Sequence, residues 1–85
     1  MTATATKTKV FFVQDKHGCT AVFPDEPANP GRYVCFDIIG GHSECDRAWA
    51  SSRRNSTPQE YEATYKTLVN QYEYELDVWR RRFRR

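Results

Sequence analysis

Long apolar runs are missing from this chain, and what they would imply goes with them. No stretch of its 85 residues is apolar enough for a bilayer-crossing helix, which takes about 20 residues. The opening Met1-Thr-Ala-Thr-Ala-Thr-Lys7 has no apolar h-region, so no secretory signal is read there. Cysteine is scarce and odd in number: three residues do not close a disulfide framework, and they read as free thiols in a reducing cytoplasm. An excess of one charge is lacking too. Thirteen bases against eleven acids leave a formal +2, which argues against a uniformly basic, nucleic-acid-binding domain. A Cys-x-x-Cys pair and a Gly-Lys-Ser/Thr phosphate signature are both absent, and the zinc templates and P-loop that rest on them go as well.

Aromatic residues are abundant, at 14%. Each can bury roughly 150–250 Å², so a few of them can build most of the small core that one domain of this length allows. Residues 1–6 are small and polar and read as a disordered N-terminus, residues 7–83 as a single domain, and residues 84–85 as a basic tail. Residues 8–14, rich in β-branched and aromatic side chains, predict a strand. The turn Asp15-Lys-His-Gly18 joins it to a second strand over 19–23. Pro24, Pro27 and Pro30 make the next stretch a stiff loop. A third strand covers 32–39, with Val34, Phe36 and Ile38 toward the core and Tyr33, Cys35, Asp37 and Ile39 away from it. Gly40-Gly41 breaks it.

Ser43-Glu-Cys-Asp46 reads as the start of a short helix over 44–52. Thr57-Pro-Gln-Glu60 is a stronger start, with Thr as N-cap, Pro at N1 and Glu at N3. Beyond residue 70 two periods compete. Tyr72, Leu76, Trp79 and Phe83 continue the helical spacing, whereas Tyr72, Tyr74, Leu76 and Val78 alternate with Glu73, Glu75 and Asp77 as in a half-buried strand over 72–82. The strand is preferred. The expectation is an α+β domain: an antiparallel sheet of three to four strands with two helices on one face, in the order β-β-β-α-α-β.

Several groupings invite chemistry. His17, Cys19, Cys35, His42 and Cys45 are metal-ligand types, but buried free thiols account for them better, and no metal or cofactor is expected. Cys45 at a helix start beside His42, oriented by Asp46 or Asp37, would be an activated nucleophile, yet so short a chain leaves little room for a pocket. The corner Gly40-Gly41-His42-Ser43 reads as a turn before a phosphate site. The C-terminal Arg80, Arg81, Arg82, Arg84 and Arg85, with Phe83 and Trp79, is the strongest polar feature. It fits partner binding through arginine and aromatic anchors, phosphate contact with base stacking, or a solvated end. Trp79, on a strand, falls on the outer face. A last strand at the sheet edge would also let two copies pair.

Ala21-Val-Phe-Pro24, Gly40-Gly-His-Ser43 and Thr57-Pro-Gln-Glu-Tyr61, followed by a helix and an alternating strand, resemble a group of small proteins of unknown function encoded by phages and mobile elements of bacteria. Where that group commonly has a Gly before the last strand, this chain has Asn70-Gln71-Tyr72. The resemblance implies a bacterial host cell as the setting. The expected function is a non-enzymatic interaction protein that binds a host protein, with inhibition of a host defence system (anti-CRISPR-like) as the most concrete form. A nucleic-acid-binding accessory protein using the arginines and a thiol- or metal-dependent enzyme are the alternatives.

Overall fold

The computed structural model describes residues 7–80; the N-terminus expected to be disordered, and Arg81, Arg82, Phe83, Arg84 and Arg85, lie outside them. The run Val10-Phe-Phe-Val13 sits in strand β1, Thr8–Asp15, and all four residues are buried. Continuous apolar residues, not alternation, mark a strand covered on both faces. Strand β2, Gly18–Phe23, pairs antiparallel with β1, and β3, Arg32–Asp37, pairs antiparallel with β2. Strand β4, Gly41–Asp46, completes that side against β3. Helix α1, Arg47–Ser52, and helix α2, Pro58–Gln71, follow, with a two-residue strand β5, Arg54–Asn55, between them. The last strand among the described residues is β6, Leu76–Trp79. The sheet order is β4-β3-β2-β1-β5, with β6 also on β1. β5 meets Val13 and Gln14, and β6 meets Thr8 through Phe11, so the two share the side of β1 away from β2.

The α+β class stands, but the expected order and strand count do not. The sheet has six strands. Residues 43–46 are not a helix start: they lie in β4, and α1 begins at Arg47 after Asp46, which makes no side-chain cap bond. A Ser-x-x-Asp pattern is compatible with either state, and here the β3 ladder, reinforced by Arg32 with Glu44 (3.3 Å) and Asp46 (3.2 Å), holds it extended. The third strand stops at Asp37, so Ile38 is not core; it is 52% exposed. The last strand pairs with β1 in parallel.

The helices cover opposite faces instead of sharing one. Val10, Phe12, Ala21, Phe23, Phe36, Leu68 and Leu76 form the larger core under α2, and Phe11, Val13 and Val22 form a smaller one under Ala50 of α1. Tyr61 stacks on Phe12 with centroids 4.4 Å apart. Each fully buried Phe, Val or Leu contributes about 1.5–3 kcal/mol. An exposed pair such as Lys66–Glu62 (3.1 Å) adds at most about 1 kcal/mol. The core therefore decides the fold.

Helix α2 starts as the sequence indicates. Thr57 Oγ1 accepts from the Glu60 amide, and the Glu60 carboxylate accepts from the Thr57 amide. Its end is decided at Glu73, which takes φ 58°, while the Tyr72 and Tyr74 amides both donate to the Leu68 carbonyl. The left-handed residue after a helix is ordinarily glycine. Glu73 makes that turn without one, so the single long helix does not form. The strain of a side chain there, about 1–2 kcal/mol, exceeds the extra freedom glycine gives the unfolded chain, about 0.5–1 kcal/mol. Glu73→Gly is therefore expected to raise stability by about 0.5–1 kcal/mol, read from a higher urea midpoint at unchanged m-value.

Arg54 donates to both Glu60 oxygens, at 2.8 and 2.7 Å. With the Thr57 amide, that holds the Glu60 carboxyl at about 2, below its usual 4.5. A depressed carboxyl stabilises the fold fully above its unfolded value, and the gain is lost as pH falls toward the folded value. NMR titration should place Glu60 near 2, and Glu60→Gln should flatten the pH dependence of stability between about 4.5 and 2.

Candidate interaction surface

The sheet sorts the candidate residues by face. Along β4 side chains alternate, so His42 and Cys45, three apart, point to opposite sides. His42 lies opposite Phe36 and packs on the α2 side: its ring is 4.9 Å from Phe36 and 5.0 Å from Tyr72, and Nε2 lies 3.1 Å from the Tyr74 hydroxyl. Cys45 lies opposite Tyr33 on the α1 side, beside Trp49. The thiol–imidazole pair that their spacing suggested on a helix is not brought together. His17 is exposed in the β1–β2 turn, and Cys19 packs against the α2-side core. Among the described residues no group of three or more His, Cys, Asp or Glu is gathered for a metal.

An open cleft of about 790 Å³ lies where β2 and β3 part. The two strands pair only over Ala21–Phe23 and Val34–Phe36, and beyond them Cys19 and Thr20 face Asp37 through Gly40 across the gap. It is larger than the chain length suggested. Its acids already serve the fold. Asp15 accepts from the His17 amide, Asp37 from the Gly40 amide, Glu44 from Arg32 and Asn29, and Glu60 from Arg54. Burial pushes the Cys19 thiol up, and Cys45 is pushed up to about 12 by burial and then by Cys35 beside it. A nucleophilic thiol needs the opposite shift, and His42 is not among the residues lining the cleft.

Among the described residues the large apolar or aromatic side chains left exposed are Ile38, Ile39, Tyr72 and Trp79. The turn between β3 and β4 presents Ile38 and Ile39, 52% and 95% exposed. Asp37 closes this turn by accepting from the Gly40 amide, and Gly41 follows at φ 74°. Isolated exposed hydrophobics are ordinary, but grouped ones mark contact surfaces. Across Asp37 from them in the chain is Phe36, whose ring is covered by half-exposed Tyr72 at 5.3 Å. Phe23 stacks on Tyr74 at 5.2 Å, extending the aromatic surface inward. Alternation in a longer strand placed Ile39 outward but Ile38 in the core, and it indicated neither the turn nor this cluster.

The second exposed group is at the β6 end. Leu76 and Val78 join the core while Asp77 and Trp79 face out, as the alternation indicates. Trp79 is 50% exposed, its indole N–H donates to Asp77 at 3.0 Å, and the Lys9 ammonium lies 4.4 Å from the ring centroid. Arg80 is exposed beside it. Trp49 is half-buried against the α1-side core. No helix among the described residues is long and apolar enough to cross a membrane. Compared with family models, curated proteins and solved structures, the chain matches none.

These exposures predict a fluorescence difference. Iodide should quench Trp79 more strongly than Trp49, so Trp79→Phe should remove the larger part of the quenchable emission, leaving the residual signal more protected.

Proposed function

We propose that this chain acts without catalysis, by occupying a surface of another protein. The observation that carries the reading is the Ile38–Ile39 tip, an apolar pair held out on a tight hairpin at the end of the strand that carries Phe36. Half-exposed Trp79 and exposed Arg80 supply a second contact of the type enriched at binding hot spots. Along the sequence the basic run continues through Arg81, Arg82, Phe83, Arg84 and Arg85. The raised thiols and the separation of His42 from Cys45 favour binding over chemistry. In line with the motif resemblance, the partner is a host protein in a bacterial cytoplasm, and the working case is a phage or mobile-element inhibitor of host defence.

A second reading, nucleic-acid binding, rests on the C-terminal arginines. Between residues 7 and 80 eleven acids outnumber nine bases, so that term comes from the chain end. It would weaken steeply with salt, whereas apolar anchoring would not.

Co-purification from bacterial lysate, with and without nuclease, separates the two. Protein anchoring predicts a defined complex that survives nuclease and moderate salt. Ile38→Ser with Ile39→Ser should lose it at least tenfold while circular dichroism and Tm stay unchanged. Trp79→Ala should weaken it further from the other site. Retention of the complex by the tip variant, or its loss to nuclease, would contradict this reading.

A further inference from the structure

Strands β2 and β3 stay paired over a short stretch and then part. Ala21 meets Phe36, Val22 meets Cys35 and Phe23 meets Val34. Carried on, that register sets Cys19 opposite Ile38. The chain instead leaves β3 at Asp37 and turns at Ile38. The loss falls on the Cys19 backbone. Asp15 and Gly18 are paired across the two-residue turn of the first hairpin, and such a turn closes on a pair that exchanges both backbone bonds. Bonding directions alternate along a strand, so Gly18 and Thr20 face β1 while Cys19 faces the gap. Among the described residues no backbone bond meets it there. The Cys19 N–H and C=O are therefore one unfilled rung of the sheet, at the wall of the cleft of about 790 Å³.

The unbalanced charges beside this rung have one sign. Asp15 lies on the α1 side with Phe11 and Val13, and Asp37 lies there with Tyr33. Both line the cleft. They accept amide bonds, from His17 and Gly40, and neither is in an ion pair among the described residues. Glu44 and Glu60, which also line the cleft, are paired with Arg32 and Arg54. No lysine or arginine among the described residues lines it, and Ile38 and Ile39 line it from the tip.

We infer that the cleft takes a short extended segment of a partner protein as an added strand on Cys19, with lysine or arginine side chains toward Asp15 and Asp37. This rests on the reading of the chain as an interaction protein and names the element it receives. One residue of the segment exchanges both backbone bonds with Cys19. Its side chain shares the α2 side with Cys19 and Ala63, which suits an apolar group. The residues before and after it point to the α1 side, toward the two carboxylates. A basic–apolar–basic segment satisfies both sides, whereas an acidic one meets like charge. Backbone bonds give such a strand its affinity and alternate side chains its specificity.

The test is amide hydrogen exchange of the full chain by NMR, alone and with a capped five-residue peptide of alternating valine and lysine, valine at its ends and centre. Alone, the Cys19 amide should exchange at least tenfold faster than the Ala21 amide, which bonds across to Phe36. The peptide at millimolar concentration should slow Cys19 at least tenfold and shift the resonances of Ile38, Ile39 and Gly40. Glutamate in place of lysine, or N-methylation of the central valine, should weaken binding at least tenfold. Asp15→Asn with Asp37→Asn keeps the oxygens that accept the amides and removes the charges, so binding should weaken at least fivefold. Slow exchange at Cys19 in the free chain, no protection by the lysine peptide, or equal binding of the glutamate peptide would overturn the inference. If a complex dependent on Ile38 and Ile39 is still recovered from lysate alongside such a result, the interaction reading stands and only the added strand is lost.

Discussion

Val10, Phe11, Phe12 and Val13 are buried one after another, and a strand with that pattern must be covered on two faces and paired on two edges. Covering Val10 and Phe12 takes α2, and covering Phe11 and Val13 takes α1. β2 pairs one edge, and β5 and β6 divide the other between them. Chain order follows from that demand. Among the described residues, β6 is what pairs the start of β1 on that side.

The same constraint distributes the polar residues. A sheet with two covered faces sends neighbouring positions of β4 to different sides, so the imidazole joins aromatic rings and the thiol joins Trp49. The carboxylates around the cleft are engaged in turns, a cap and ion pairs with Arg32 and Arg54. What remains uncovered is apolar and aromatic material at the hairpin tip, over Phe36, and at the β6 end.

The parts legible in the sequence were those with local physical causes. Thr57-Pro-Gln-Glu60 makes its capping box from four consecutive residues, and the β1–β2 hairpin follows from two β-rich runs around Gly18. The outward placement of Trp79 came from strict alternation with Leu76 and Val78. β4 was not legible, because His42-Ser-Glu-Cys-Asp46 has no apolar alternation and is held by its neighbour's backbone and by Arg32. The left-handed turn at Glu73 and the parallel pairing of β6 depend on tertiary contacts that no local pattern encodes. The candidate surface was half legible. Trp79 and Ile39 were placed outward, and Ile38 was misplaced in the core by the assumption that an alternating strand continues to its last apolar residue.

The division of the sheet into two chemically separate faces is the claim on which both the fold and the proposed binding function stand. Through-space proton NMR contacts from the His42 ring test it most directly. The ring should show contacts to Phe36, Tyr72 and Tyr74 and none to the Cys45 β-protons. Strong contacts between His42 and Cys45, with the Tyr72 and Tyr74 contacts missing, would put residues 43–46 back in a helix and contradict the account.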